Sequence, residues 1–309
     1  MRIAIVGAGG VGGYFGGRLA VAGHDVVFIA RGAHLAAIRH DGLRVQSISG
    51  DFVVAPARAS DDPASIGPVD VVIVAVKGWQ LADAVRAMQP LVGPETAVLP
   101  LLNGVEAAAE LTAAFGPGHI LGGLCRIIAS IEGPGQIRHS GMEPSMAVGE
   151  LDNTRSERVQ QLHRALVEAG VHAEIAPDIH VALWEKFMLI ATWSGIGAVT
   201  RSPIGVWRSL SGARAMAEAA LNEVLALAHA RGVSVATTRV GTTLAFMDGV
   251  PPAATASMQR DIMEGRPSEL ESQSGAVVRL GSDAGVPTPT HTFLYQSLLP
   301  QERAAREQG

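Results

Sequence analysis

A chain of 309 residues is long for one domain and comfortable for two, and at 48% hydrophobic and 17% charged residues it can bury a substantial core. Its formal net charge is −5 and it has no basic run, which excludes the concentrated positive face that a nucleic-acid partner requires. Aromatic residues are scarce at 4% while glycine numbers 36, a mixture suited to helices laid closely on a parallel sheet.

The first residues, Met1-Arg2 and an apolar stretch, superficially resemble a targeting segment. The glycines between positions 7 and 17, and then Arg18, interrupt it. No run reaches the ~18 consecutive apolar residues of a membrane span, so no membrane association and a cytoplasmic location are expected. Residues 3–6 read as a short buried strand, 7–13 as a glycine-rich turn and 14–22 as a helix closed by Gly23. With a second strand at 25–30 they make a β-α-β unit. A strand at 69–76, a helix at 81–88 and strands at 96–102 and 120–124 continue the alternation. Cys125, the one cysteine, excludes an internal disulfide, fits a reducing compartment and sits in an apolar run, which predicts a buried, inert thiol. Polar–apolar alternation at 42–54 and 136–148 predicts antiparallel strands at one side of the sheet. An amphipathic helix at 153–169 carries Val159, Leu162, Leu166 and Val167 at helical spacing, and a last strand follows at 171–175.

After Pro177 helical patterns dominate, at 179–200, 212–231, 237–247, 255–263 and 269–284, separated by glycine and proline breakers. The expected fold is α/β: an N-terminal Rossmann domain over residues 1–177, then an all-helical domain over 178–309. The polar residues 301–309 are expected to fray.

The chemistry begins in the first turn. Gly7-Ala8-Gly9-Gly10-Val11-Gly12 is G-x-G-x-x-G between a strand and a helix. There the first glycine permits the tight turn, the second lets backbone approach a pyrophosphate, and the third lets helix pack on strand. Gly7, Gly9, Gly10 and Gly12 are therefore candidate dinucleotide-binding residues. At the end of the second strand NAD-binding domains carry an acidic residue for the ribose 2′-hydroxyl, but this chain has Arg31. No carboxylate there repels a 2′-phosphate and Arg31 can pair with one, so the cofactor expected is NADP(H); the alternative for Arg31 is a solvated surface side chain. Lys77 and Asn103 close the next two strands, where open α/β sheets bind ligands, and each can equally be an ordinary surface or turn residue.

In the helical half, Lys186 opens an apolar helical segment. It is either a snorkelling side chain or a partly desolvated proton donor of the kind a ketone needs when hydride arrives. Ser257 and Asp261 stand four apart on one helical face, and Glu269 follows; capping and surface pairing are the simpler roles for such residues. The ten histidines are scattered without metal-ligand spacing, and there is no G-x-S-x-G nucleophile turn.

Taken together, GAGGVG, Arg31, VKGWQ, LLNGV, LWEKF and SMQRDIMEGRPSELE, in that order, resemble the ketopantoate reductase (2-dehydropantoate 2-reductase) family over nearly the whole chain. The resemblance implies NADPH-dependent reduction of 2-dehydropantoate, or a closely related 2-keto acid, to the 2-hydroxy acid, a step of pantothenate biosynthesis. It implies Lys186 as the general acid and Glu269 as a carboxylate beside the substrate's hydroxyl and the lysine. Ser257 is implied as a substrate-contacting hydroxyl, Asn103 as a residue between cofactor and substrate, and Lys77 as a lysine lining both. Asp261 matches an acidic position taken as structural. One departure stands out: where the family carries a substrate-binding asparagine four residues after the lysine, this chain has Ile190, and a second asparagine position is Ser194. Loss of an amide from a site built to read a polar group points to a bulkier or branched 2-keto acid as an alternative substrate. Two other readings stay open. One is a two-domain NADP-dependent dehydrogenase of the 3-hydroxyacid or 6-phosphogluconate type; the other is a non-catalytic NADPH-binding sensor to which Lys186 would be dispensable. A homodimer is the assembly expected.

Overall fold

The computed structural model describes residues 1–308. In chain order the elements are β1 (Arg2–Val6), α1 (Gly10–Val21), β2 (Asp25–Ile29), α2 (Gly32–Asp41), β3 (Leu43–Ser47), β4 (Phe52–Val54), β5 (Arg58–Ser60), β6 (Val71–Val74), α3 (Leu81–Met88), β7 (Ala97–Pro100), α4 (Ala107–Phe115), β8 (Leu121–Gly133), β9 (Gln136–Glu150), α5 (Glu157–Glu168) and β10 (His172–Ile175). Helices alone follow: α6 (Ile179–Thr200), α7 (Ile204–Trp207), α8 (Ser211–Ala230), α9 (Arg239–Gly249), α10 (Ser257–Met263), α11 (Ala276–Ala284) and α12 (Pro289–Gln308). The chain divides into two compact units, Met1–Leu102 with Ala107–Ile179, and Asn103–Glu106 with His180–Gly309. Among the described residues no helix is long and apolar enough to cross a membrane.

The first unit holds two sheets. One is wholly parallel in the order β5-β2-β1-β6-β7. β6 (VVIV) is buried throughout and its neighbour β1 from Ile3 to Val6, as expected of a sheet covered on both faces. The second sheet runs β10-β9-β3-β4, with β8 paired antiparallel to β9. Two expectations need correcting here. Among the described residues the strand predicted at 120–124 pairs with the parallel sheet through an isolated bridge between Ile120 and Val98, then runs on to Gly133 as half of a long hairpin in the second sheet. The alternating segments predicted at one side of the first sheet instead build the second one, where β3 pairs antiparallel with β4 but parallel with β9.

Helix α1 lies between the two sheets, and its glycines are what let it fit. A Cβ at Gly12 would stand 2.0 Å from Gly7 O and 2.8 Å from Ile5 Cγ2, and one at Gly16 would meet Ile5 and Phe28 at 2.6 and 2.8 Å. On its other side Gly10, Gly13 and Gly17 meet the second sheet, where added carbons would lie 2.4 Å from Ala129 O, 2.8 Å from Ile137 and 2.8 Å from Phe52. Cys125 is buried in the same core.

The second unit is all helix, with its own core around Phe187, Met188, Trp207, Leu221, Val277 and Leu294. Residues 301–308 correct the sequence reading, because that part of the segment expected to fray is the end of α12, while residue 309 lies outside the described residues. Ala305 is buried there, and so is the charged Glu302, one turn beyond buried Leu298. The other end of α12 is held by Glu223 of α8, whose buried carboxylate accepts from the N–H groups of Thr290 (2.6 Å) and His291 (2.9 Å). An anion at those otherwise unpaired amides also complements the helix dipole. The ring of His291 is fully buried, and burial pushes its pKa from the usual 6.5 down to about 4, offset in part by the backbone of Ala220.

Two outcomes follow. Gly12→Ala should cost about 3 kcal/mol through overpacking. Gly9→Ala, with nothing within 4 Å of its added carbon, should cost under ~1 kcal/mol; urea unfolding of the two variants checks the contrast. The fold accepts only neutral His291, while the unfolded chain protonates it near 6.5. Its contribution is therefore complete above that pH and is lost as pH falls towards about 4. Between pH ~7.5 and ~5 this group alone should remove about 2 kcal/mol, a loss that His291→Leu should not show in the same titrated unfolding series.

Candidate active site

In the parallel sheet the order β2-β1-β6 brings the carboxyl ends of three strands side by side. Arg31 follows β2, the glycine turn follows β1 and Lys77 follows β6. Gly7 takes φ +98°, and a side chain there would strike Ala75 C and O at 2.9 Å, so the turn is pressed against the strand end that leads to Lys77. Gly9 is the N-cap of α1 and has open space where a Cβ would be, which leaves the helix's first amides approachable. Gly10 and Gly12 serve packing as much as approach, one against β8 and the other against β1. Arg31 is exposed at the N-cap of α2. The Lys77 ammonium lies 5.8 Å from the centre of the Trp79 ring, and its backbone N–H donates to Gln80 Oε1 at 3.2 Å.

A histidine not singled out by sequence holds this turn in place. His34 Nδ1 accepts from the Gly135 N–H at 3.1 Å, which leaves the proton on Nε2 to donate to Ala8 O at 2.8 Å. One ring thus ties α2, the glycine turn and the loop between β8 and β9 together. Within a helix-forming segment nothing in the sequence distinguishes it from a surface histidine, because both partners are backbone atoms distant in the chain.

In the second unit Asn103 and Glu269, 166 positions apart, are joined directly: Asn103 Nδ2 donates to Glu269 Oε2 at 2.9 Å. Glu269 is 4% exposed. Gly104 makes the approach possible, with φ +104° and room for no Cβ, which would sit 2.8 Å from Ser272 O. Residues Glu271–Gly275 form a turn of π-helix, a widened geometry frequent at functional sites. Tyr295 donates to Glu271 Oε2 at 2.8 Å; burial and that carboxylate raise the tyrosine's pKa.

Lys186 is half-buried on α6, and the helical spacing puts Leu183, Ile190 and Trp193 on the same stripe. Ser194 is buried two turns beyond the lysine. Ser257 is exposed at the first residue of α10. Asp261 of the same helix pairs with Arg266 at 2.8 Å, a structural bond that fastens the start of the segment leading to Glu269. Among the described residues no group of three histidine, cysteine or acidic side chains is placed to hold a metal ion.

His34→Leu leaves Ala8 O and Gly135 N–H without their partners and should lower unfolding free energy by about 2 kcal/mol. Arg31→Ala at the exposed neighbouring position should change it by less than ~0.5 kcal/mol; denaturant titration of both proteins reads the difference.

Known proteins share this architecture over its full length. The chain is 32% identical to a 2-dehydropantoate 2-reductase of Mesorhizobium japonicum across 94% of both chains. A crystal structure of a PanE/ApbA family ketopantoate reductase from Ralstonia eutropha is 30% identical and superposes with a TM-score of 0.90, covering 99% of this chain and 100% of that one. A D-mandelate dehydrogenase solved with NADH and anilino(oxo)acetate is 25% identical, with a TM-score of 0.90 and 99% of each chain covered. The family descriptions "Ketopantoate reductase PanE/ApbA" and "Ketopantoate reductase PanE/ApbA C terminal" match residues 3–153 and 178–302. The chain is an oxidoreductase belonging to the ketopantoate reductase family.

Proposed function

We propose that this protein uses NADPH to reduce a 2-keto acid, 2-dehydropantoate or a close relative, to the corresponding 2-hydroxy acid. The observation that carries the reading is the bond between Asn103 and Glu269, which gathers the end of a sheet-derived loop and a buried carboxylate into one polar cluster. The residues at the strand ends fit a dinucleotide. Gly9 leaves the N-terminus of α1 open to a pyrophosphate, Gly7 and Gly12 hold the turn tight, and exposed Arg31 can pair with a 2′-phosphate. When bound, the nicotinamide supplies the hydride that reduces the keto carbon.

The rest of the chemistry belongs to the chain's own side chains. The Lys186 ammonium stabilises negative charge growing on the keto oxygen and gives it a proton, leaving a neutral amine that solvent recharges. Glu269, oriented by Asn103, accepts a hydrogen bond from a substrate hydroxyl and offsets the charge of the lysine. Ser257, Ser194 and Lys77 are assigned to substrate contact, Lys77 and Asn103 also to the cofactor.

A second reading of the substrate rests on Ile190. One helical turn from Lys186 it offers a branched apolar surface, flanked by Trp193, in place of an amide. This favours a 2-keto acid with an apolar or aromatic substituent, in keeping with the D-mandelate dehydrogenase likeness.

Steady-state oxidation of NADPH and of NADH, with 2-dehydropantoate against branched and aryl 2-keto acids, tests both readings. NADPH should support turnover, Lys186→Ala should cut kcat by about 10²- to 10⁴-fold, and Arg31→Ala should erase most of the preference over NADH. Turnover confined to aryl or branched acids keeps the mechanism and replaces the substrate. Tight NADPH binding with no turnover of any acid would overturn the proposal and favour a sensor.

A further inference from the structure

The segment that carries Glu269 is gripped from the C-terminal helix. Ser268 is completely buried, and each of its polar groups is engaged. Its N–H donates to Glu302 Oε2 at 3.0 Å and Oε1 at 3.2 Å, and its hydroxyl donates to Glu302 Oε2. The same hydroxyl accepts from the Leu270 N–H at 3.2 Å, and its carbonyl accepts from Arg306 Nη2, also at 3.2 Å. Arg306 in turn pairs with Glu302 Oε1 at 2.7 Å, one helical turn along α12. On the far side of Glu269, its carbonyl accepts from the Gln273 N–H at 3.0 Å, and that of Leu270 from the Gly275 N–H at 2.9 Å, the five-residue bond that defines the π turn.

As a stabilising device this arrangement is costly. A carboxylate that is 4% exposed has lost its water, and an apolar side chain of similar volume would often serve stability as well or better. What a carboxylate does and an apolar group cannot is fix the orientation of a neighbour through short, charge-assisted, directional bonds. Ser268 cannot rotate without breaking several at once, and Glu269 is the next residue.

We propose that Glu302 is a positioning residue for the reaction: by holding Ser268 it sets the direction in which Glu269 presents its carboxylate. The inference rests on the role for Glu269 proposed above.

The test is a double-mutant cycle in the full-length protein with the preferred 2-keto acid and NADPH. Glu302→Gln should lower kcat/KM by roughly 10- to 100-fold, mostly in kcat, with NADPH affinity unchanged, because misplacement of a reacting group costs rate. In the Glu269→Gln background the same change should cost nothing further, since its path to the chemistry is already cut. Equal losses in both backgrounds, or full activity of Glu302→Gln, would overturn the proposal. Where Glu302→Gln does not fold, Ser268→Ala takes its place, and Ser268→Thr, which keeps the hydroxyl, should restore the rate; failure of threonine to rescue counts against the proposal. If the wild type reduces no 2-keto acid, the function proposed above is what fails. The positioning claim is then read from hydrogen exchange at the amides of residues 269–275, which should accelerate in the variant and which overturns the claim if unchanged.

Discussion

The first unit depends on how closely α1 can approach its neighbours. A helix between two sheets normally stands off by the width of its side chains, but here five glycines remove them on the two faces where it meets backbone or bulky groups. Gly12 and Gly16 let it down onto β1 and β2, and Gly10, Gly13 and Gly17 admit β8, β9 and β4. The turn at Gly7 is a consequence, since the chain must reverse tightly from β1 to enter a helix that begins so near the strand it has just left. Glycines usually assigned to a ligand thus have a folding duty first, and Gly9 alone of the four fingerprint glycines has open space.

The second unit is organised by buried carboxylates. Glu223 closes the start of α12 and Glu302 binds its last third to Ser268, so the helix is fixed at two points with opposite polarity of purpose. At the first the acid satisfies amides that a helix always leaves orphaned. At the second the helix supplies the acid and a loop supplies the amide. The loop so held leads into the π turn, whose extra residue per turn is the sort of local irregularity that survives only where surrounding packing over-determines it.

Much of this was legible in the residues. The β1-turn-α1-β2 unit, the buried strand at β6, and the helices α6, α8 and α10 follow from apolar spacing and breakers that act locally. The second sheet was not legible, because strand alternation at 42–54 and 136–148 reports a half-buried face without saying which sheet owns it. Nor was the continuation of β8 to Gly133, where exposed Ile128 and Ile131 break the burial pattern. The end of α12 was misread from its polarity, although Leu294, Leu298 and Ala305 continue a helical stripe on which Glu302 also falls. The candidate site divided in the same way. Glycines, Arg31 and Lys186 can be proposed from their positions in the chain, whereas the contacts of His34 and Ser268 and the pairing of Asn103 with Glu269 exist only once distant segments meet.

The segment matched by the C-terminal family description ends at residue 302, just where the grip on Ser268 is made, although the similar structures run on past it. A domain trimmed to that limit would keep Glu302 and lose Arg306, leaving a carboxylate in the interior without its countercharge. Arg306, polar and unremarkable as a letter, is therefore part of what makes a buried acid tolerable, and the border of that matched segment falls short of the border drawn by electrostatics.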